Sequence, residues 1–169
     1  RPGMPDGIPY GLAVGNHDQR PNGDPSGTTT FFNEYFGVDR FEGREYWGGH
    51  YGSTNENHYI TFDASPARFL ALFLEYDTNA DPDVLDWANE IITAHPDHRV
   101  LVTSHYLIRT GNPAPWGAQG EAIYMALREN VTIDLMLCGH IGGEGRRTDS
   151  YAGHEIHTLL GDYQFRDNY

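Results

Sequence analysis

Three short apolar runs each end in residues able to do chemistry. Leu12-Ala13-Val14 leads into Gly15-Asn16-His17-Asp18, Leu101-Val102-Thr103-Ser104 into His105, and Leu135-Met136-Leu137-Cys138 into Gly139-His140. Two imidazoles and an amide oxygen are donors that suit a borderline divalent ion such as zinc, manganese or iron. A lone histidine after a strand more often caps or hydrogen-bonds, and His105 or His140 taken singly carries no more than that. Three such ends in one chain, one of them reading Gly-Asn-His-Asp, favour a shared site.

The elements that must position these residues are strands. Ligands of open α/β sheets bind beyond the carboxyl ends of the strands. Parallel strands over 11–15, 99–104 and 133–138 would bring Asn16, His17, His105 and His140 into one crevice. Residues 68–75 (RFLALFLE) are apolar nearly throughout, as in a central strand covered on both faces. Residues 58–63 alternate like a half-buried strand, and 154–160 read as a final strand on a sheet edge. Asp81 as N-cap and Pro82 at the first position open the clearest helix, which runs to Ala94. Val84, Leu85, Ala88, Ile91 and Ile92 form its apolar stripe. Shorter helices are expected over 29–36 and 119–129. The alternation predicts an α/β fold with a mixed sheet, and no repeat or long linker divides residues 1–169.

Composition removes whole classes of function. The 169 residues include 24 acidic and 11 basic side chains, for a net charge of -13, and every basic one is arginine. A chain so acidic has no basic face for duplex nucleic acid or an anionic membrane. Without lysine there is no Schiff base, no lysine general base and no P-loop. No apolar run approaches the length of a membrane span. Cys138 is the single cysteine, so no intrachain disulfide can form, and its setting suits a buried small residue. The chain opens Arg1-Pro2-Gly3 without an initiator methionine or a signal-peptide pattern, as expected of a mature end or a fragment.

The ordered motifs resemble the calcineurin-like metallophosphoesterase superfamily, whose series is D-x-H, G-D-x-x-D, G-N-H-D/E, a lone histidine and G-H-x-H. Gly15-Asn16-His17-Asp18 matches the third motif, His105 the fourth, and Gly139-His140 begins the fifth. Gly143-Glu144-Gly145-Arg146-Arg147-Thr148-Asp149 agrees with a secreted bacterial branch, which implies a secreted or cell-envelope location. The resemblance implies a mixed β-sheet sandwich flanked by helices, of the four-layer αββα type, incomplete at the N-terminus. This chain would then be the C-terminal two-thirds of such a domain. It implies Asn16, His105 and His140 as ligands of one metal, manganese, iron or zinc, out of two in a complete member. His17 would act as general acid or phosphoryl stabiliser, with Asp18 accepting a hydrogen bond from it and favouring its cationic form. The substrate class would be a small phosphomonoester or phosphodiester.

The departures fall together. Residues 1–14 contain neither D-x-H nor G-D-x-x-D, and Gly142 stands where the second histidine of G-H-x-H belongs. All of these would serve the first metal. Either the chain is part of a longer enzyme, or it is a compact variant retaining one ion. Two further functions stay open: a catalytically impaired binding or assembly module, and a one-metal hydrolase of a non-phosphate substrate such as a glycan. Tyr46, Trp47 and Trp116 would serve the latter.

Tyr106, Arg146 and Trp116 are candidate substrate-binding residues, with core packing or surface charge as the plainer roles. Glu144 is a possible replacement ligand, though a surface loop suits it better. His154 and His157 lack the spacing of a zinc-protease motif. His50, His58, His95 and His98 are expected on the surface or in loops.

Overall fold

A computed structural model describes residues 7–164; residues 1–6, with the Arg1 opening, and 165–169 lie outside the described residues. In chain order the elements are α1 (Thr30–Phe36), α2 (Val38–Phe41), β1 (Trp47–His50), β2 (His58–Ala64), β3 (Ala67–Leu74) and α3 (Pro82–Ala94). They continue with β4 (Arg99–Ser104), α4 (Ala118–Leu127), β5 (Ile133–Cys138), β6 (Gly143–Tyr151) and β7 (His154–Asp162).

One mixed sheet holds all seven strands in the order β1-β2-β3-β4-β5-β7-β6. β3, β4, β5 and β7 run parallel, flanked by antiparallel pairs on both sides. The apolar run of β3 is central, and Leu70 to Leu74 are buried. Helix α3 begins where Asp81 caps the backbone N–H of Asp83 at 2.9 Å, with Pro82 at its first position. Its buried Val84, Leu85, Ala88 and Ile92 pack with Ile123 and Leu127 of α4 against Leu72, Val102 and Met136 of the sheet. A second cluster joins Phe41, Tyr46, Ile60, Ala71 and Phe73, with Leu12 packed against it. The described residues therefore form an α/β layer pair with a single sheet. The second sheet of a four-layer sandwich is not among them.

Three expectations change. Residues 11–15 are extended but stand outside the sheet, because both edges of β3 are already taken by β2 and β4. The segment packs close to β3 instead, where a Cβ on Gly11 would come within 2.3 Å of the Phe73 ring. It is tied at its end by the Tyr76 N–H donating to the Val14 carbonyl at 2.9 Å. β7 is not an edge strand: it lies between β5 and β6, and β6, its hairpin partner over nine residue pairs, forms the edge. His58 is not a surface histidine. It is fully buried on β2, its ring 4.8 Å from that of Phe73 and 6.0 Å from that of Phe41. His98 is buried as well.

The His58 imidazole donates through Nδ1–H to the Asn55 carbonyl, 2.8 Å away, while its buried Nε2 has no partner. Burial lowers its pKa to about 4, against the pull of the Asn55 contact. The unfolded chain gains a proton here near pH 6.5 and the folded one only near pH 4. Stability held by neutral His58 is thus lost as pH falls through that window and is constant below it. The unfolding free energy of wild type relative to His58→Leu should fall between pH 7 and pH 4 by on the order of 3 kcal/mol, measured by urea titration at a series of pH values. A pH-independent difference would contradict a buried neutral imidazole.

Candidate metal centre

The parallel register aligns the strand ends. Leu74 stands opposite Ser104, Thr103 opposite Leu137, and Cys138 opposite Leu160. Tyr76, His105 and His140 therefore leave the sheet side by side. Asn16 arrives on the loop after the Val14 tie, and its Oδ1 lies 2.8 Å from His105 Nε2. His140 Nδ1 lies 3.0 Å from the same nitrogen. Residues 89 and 35 positions apart in sequence thus meet at one point.

Protons alone satisfy this contact poorly. An amide oxygen only accepts, and a neutral imidazole has one N–H. A proton on His105 Nε2 can serve the Asn16 oxygen, and a bare His140 Nδ1 can then take only a share of the same N–H. With Nε2 unprotonated, His140 can donate and the Asn16 oxygen faces a lone pair. A cation among the three atoms satisfies all of them. The donor set therefore fits a borderline divalent ion.

Electrostatics agree. Burial, and next the nearby His140, lower the His105 pKa, while burial is the main cause lowering that of His140. Neutral imidazole is the form that ligates a metal. Among the described residues no group of three or more His, Cys, Asp or Glu side chains is arranged to hold an ion. Here two imidazoles are completed by an amide, a set without carboxylate charge that suits zinc, manganese or iron better than calcium.

The backbone is shaped for this meeting. A Cβ on Gly15 would lie 3.1 Å from the His105 ring, so glycine lets the imidazole lie against the loop. His140 has φ +72°, a left-handed conformation that costs a non-glycine residue roughly 1–2 kcal/mol. Its neighbours pin it there: Gly139 N–H donates to the His105 carbonyl at 3.1 Å, and Ile141 N–H to the Gly139 carbonyl at 2.9 Å.

The other expected site residues are dispersed. The Asp18 carboxylate turns back and accepts from the Gly15 N–H at 2.8 Å, closing its own turn rather than pairing with His17. His17 is exposed, and its Nδ1 faces Asn22 Nδ2 at 3.4 Å. Tyr106 is at the site, its ring 5.0 Å from that of His140. Trp116 stacks on Tyr124 of α4 at 5.3 Å beneath the Arg147 guanidinium at 4.3 Å, a packing role. Arg146 is exposed on β6, facing the Asn112 amide. Glu144 is an exposed β6 residue opposite Gly161, and Gly142 is exposed. Tyr46 is buried with Phe41, and Trp47 stacks on His50, so neither forms a sugar platform. His154 and His157 serve separate contacts, to the Ile133 carbonyl and to Thr148. Cys138 is a free, half-buried thiol whose pKa burial raises.

Tyr76, Gln19, Glu75 and Asn22 were not singled out from sequence. Tyr76 packs its ring 5.8 Å from His105 and 5.7 Å from His140. Gln19 is fully buried, and its Nε2 donates to the Tyr76 carbonyl at 2.7 Å and toward Glu75 Oε2 at 3.4 Å. The available signal was Glu75-Tyr76 at the carboxyl end of an apolar run, the same placement that marks the histidines.

No protein-family model matches the chain. Among curated proteins it is similar to the uncharacterized protein YvnB of Bacillus subtilis (strain 168), with 32% identity over 167 residues. That alignment covers 94% of this chain and only 12% of YvnB, so the chain spans about an eighth of that relative's length. Among solved structures it is similar to a dimetal phosphatase from Danio rerio, at 20% identity and a TM-score of 0.45, over 63% of this chain and 50% of that one. No helix among the described residues is long and apolar enough to cross a membrane.

Glu75 gives the site's surroundings a titration signature. Burial pushes its carboxyl up to about 7, against hydrogen bonds from Asn57 and Gln19. The folded chain keeps this proton while the unfolded one loses it near pH 4.5, so stability falls as pH rises from 4.5 through about 7. Glu75→Gln should abolish that component, and the variant should gain on wild type across the window in urea titrations. Parallel stability curves for the two proteins would contradict a protonated Glu75.

Proposed function

We propose that the protein is a metal-dependent hydrolase of phosphomonoesters or phosphodiesters, working with one ion on Asn16, His105 and His140. The convergence of Asn16 Oδ1, His105 Nε2 and His140 Nδ1 carries the proposal, because one cation would satisfy all three lone pairs at once. The ion would supply Lewis-acid polarisation of a phosphoryl oxygen and acidification of a bound water. The chain's own residues do the rest. The Tyr76 and Tyr106 rings flank the imidazoles, hold them in place and limit water on that side. His17, exposed and next to Asn16 in the chain, would give a proton to a departing alkoxide. With no lysine present, substrate charge is met by the ion, histidine and arginine. The motif resemblance extends the proposal to a secreted or cell-envelope setting and a four-layer domain of which these residues are the later part.

One observation favours a second function, a binding module without turnover: the exposed Gly142 supplies no donor where the resembling family has a histidine. Metal uptake and turnover, read separately, distinguish the two. Protein freed of metal with a chelator should gain thermal stability with Mn²⁺ or Zn²⁺ and hydrolyse a chromogenic phosphodiester only when reloaded. Asn16→Ala, His105→Ala and His140→Ala should each abolish the metal-dependent rise in Tm. His17→Ala should keep that rise and lose about 10²-fold or more in kcat. Uptake without turnover in wild type would select the binding module; no uptake of any divalent ion would overturn both.

A further inference from the structure

Asn22 belongs to none of the motifs, yet one amide of it touches two residues of the site. Its Oδ1 is 3.3 Å from Asn16 Nδ2, and its Nδ2 is 3.4 Å from His17 Nδ1. The loop that carries it is closed on the site by backbone bonds: Gly23 N–H donates to the Asn16 carbonyl at 2.8 Å and Asp18 N–H to the Gly15 carbonyl at 3.0 Å. Gln19 and Val14 meanwhile grip the carbonyl and N–H of Tyr76 from either side of Asn16 and His17. Asn22 is thus held where a side chain can read both residues at once.

We propose that Asn22 is a positioning residue that couples the amide orientation of Asn16 to the tautomer of His17, so that metal binding sets where His17 carries its proton. The coupling rests on the metal-centre assignment above and follows from the asymmetry of an amide, which accepts at one end and donates at the other. When the Asn22 oxygen faces Asn16, Asn16 must offer its NH₂ there, and its own oxygen turns to His105. The Asn22 NH₂ then faces His17 Nδ1, which must be the bare nitrogen, and the ring proton sits on Nε2. The reversed setting is equally self-consistent. The Asn22 NH₂ would face the Asn16 oxygen, the Asn16 NH₂ would point at the histidine pair, and His17 would protonate Nδ1 to reach the Asn22 oxygen. Only the first setting gives a cation an oxygen from Asn16. A cation there therefore selects the first setting, and through Asn22 it places the His17 proton on Nε2, the nitrogen turned away from Asn22.

The structure shows Asn22 holding Asn16 in the first setting, the one that offers its oxygen, so removing Asn22 should weaken metal binding, and by linkage the His17 tautomer and the metal influence each other equally. Asn22 is exposed, and its replacement removes no core packing. The test uses ¹⁵N NMR of histidine-labelled protein at a pH where the imidazoles are neutral, with and without Zn²⁺, alongside Zn²⁺ affinity by calorimetry. In wild type, Zn²⁺ should shift His17 toward the Nε2–H tautomer. In Asn22→Ala the His17 tautomer should ignore Zn²⁺, and affinity should fall about tenfold, the usual effect of removing an outer partner of a metal ligand. Asn22→Asp separates the two roles. Its carboxylate still accepts from the Asn16 NH₂, preserving Zn²⁺ affinity within about twofold, but it demands a proton on His17 Nδ1. Equal affinity and an unchanged His17 response in Asn22→Ala would overturn the coupling while leaving the metal site intact. Absence of Zn²⁺ binding in wild type would instead remove the metal assignment. The tautomers of metal-free wild type and Asn22→Asp would then decide the Asn22–His17 contact: identical tautomers refute it.

Discussion

The parallel pairing of β3, β4, β5 and β7 is the constraint on which the rest depends. Parallel strands share a direction, so their carboxyl ends form one row, and whatever follows each strand emerges beside its neighbours. Leu74 opposite Ser104 and Thr103 opposite Leu137 set the spacing, which brings His105 and His140 to 3.0 Å. A one-residue slip of β5 would turn its buried Met136 to the other face and carry His140 out of reach of His105. The burial that fixes the register, through α3 and α4 on Leu72, Val102 and Met136, is therefore also what fixes the site.

Asn16 is brought in by a different device. Its segment has no place in the sheet, since β3 is paired on both edges, so hydrogen bonds just beyond the end of β3 replace a ladder. Val14 and Gln19 hold opposite sides of the Tyr76 peptide groups, and Tyr76 in turn lays its ring against both imidazoles. One residue thus anchors the loop that supplies the oxygen and lines the pair that supplies the nitrogens. Movement of Tyr76 would disturb all three donors together.

How much of this was legible in the sequence follows from what each feature depends on. Periodicity and caps revealed α3 and the central β3, because Asp81-Pro82 and an unbroken apolar run are local signals. The strand ends pointed to His105 and His140, because sheet topology converts chain position into proximity, whereas Asn16 was named as the end of a strand that the sheet does not contain. The sheet order of β7 and the exclusion of residues 11–15 were not legible, since both depend on which edges other strands occupy. His58 was misread for a related reason. It shares a face of β2 with the buried Ile60, but histidine is a poor prior for a core residue, and only the facing Phe41 and Phe73 rings show why it fits. The turn of Asp18 toward Gly15, which leaves His17 to Asn22, depends on loop geometry that no motif encodes.

Sequences that specify a fold obey local rules nearly everywhere, and departures gather where function requires them. Several of them lie around this site. His140 holds a left-handed backbone, three lone-pair-bearing atoms meet without enough protons, Gln19 leaves a buried oxygen unpartnered, and Glu75 keeps a carboxyl in a poorly solvated position. The helix-covered face of the sheet has aliphatic packing and the Asp81 cap of α3 instead. Because the costs lie on the loops and strand ends while the stabilising burial lies beneath α3 and α4, the site can be strained without loosening the scaffold. A bound cation would relieve the crowded donors and leave the backbone strain in place. Under the proposed metal assignment, an ion would complete a preformed arrangement, with the scaffold supplying the order that the ion would otherwise have to impose.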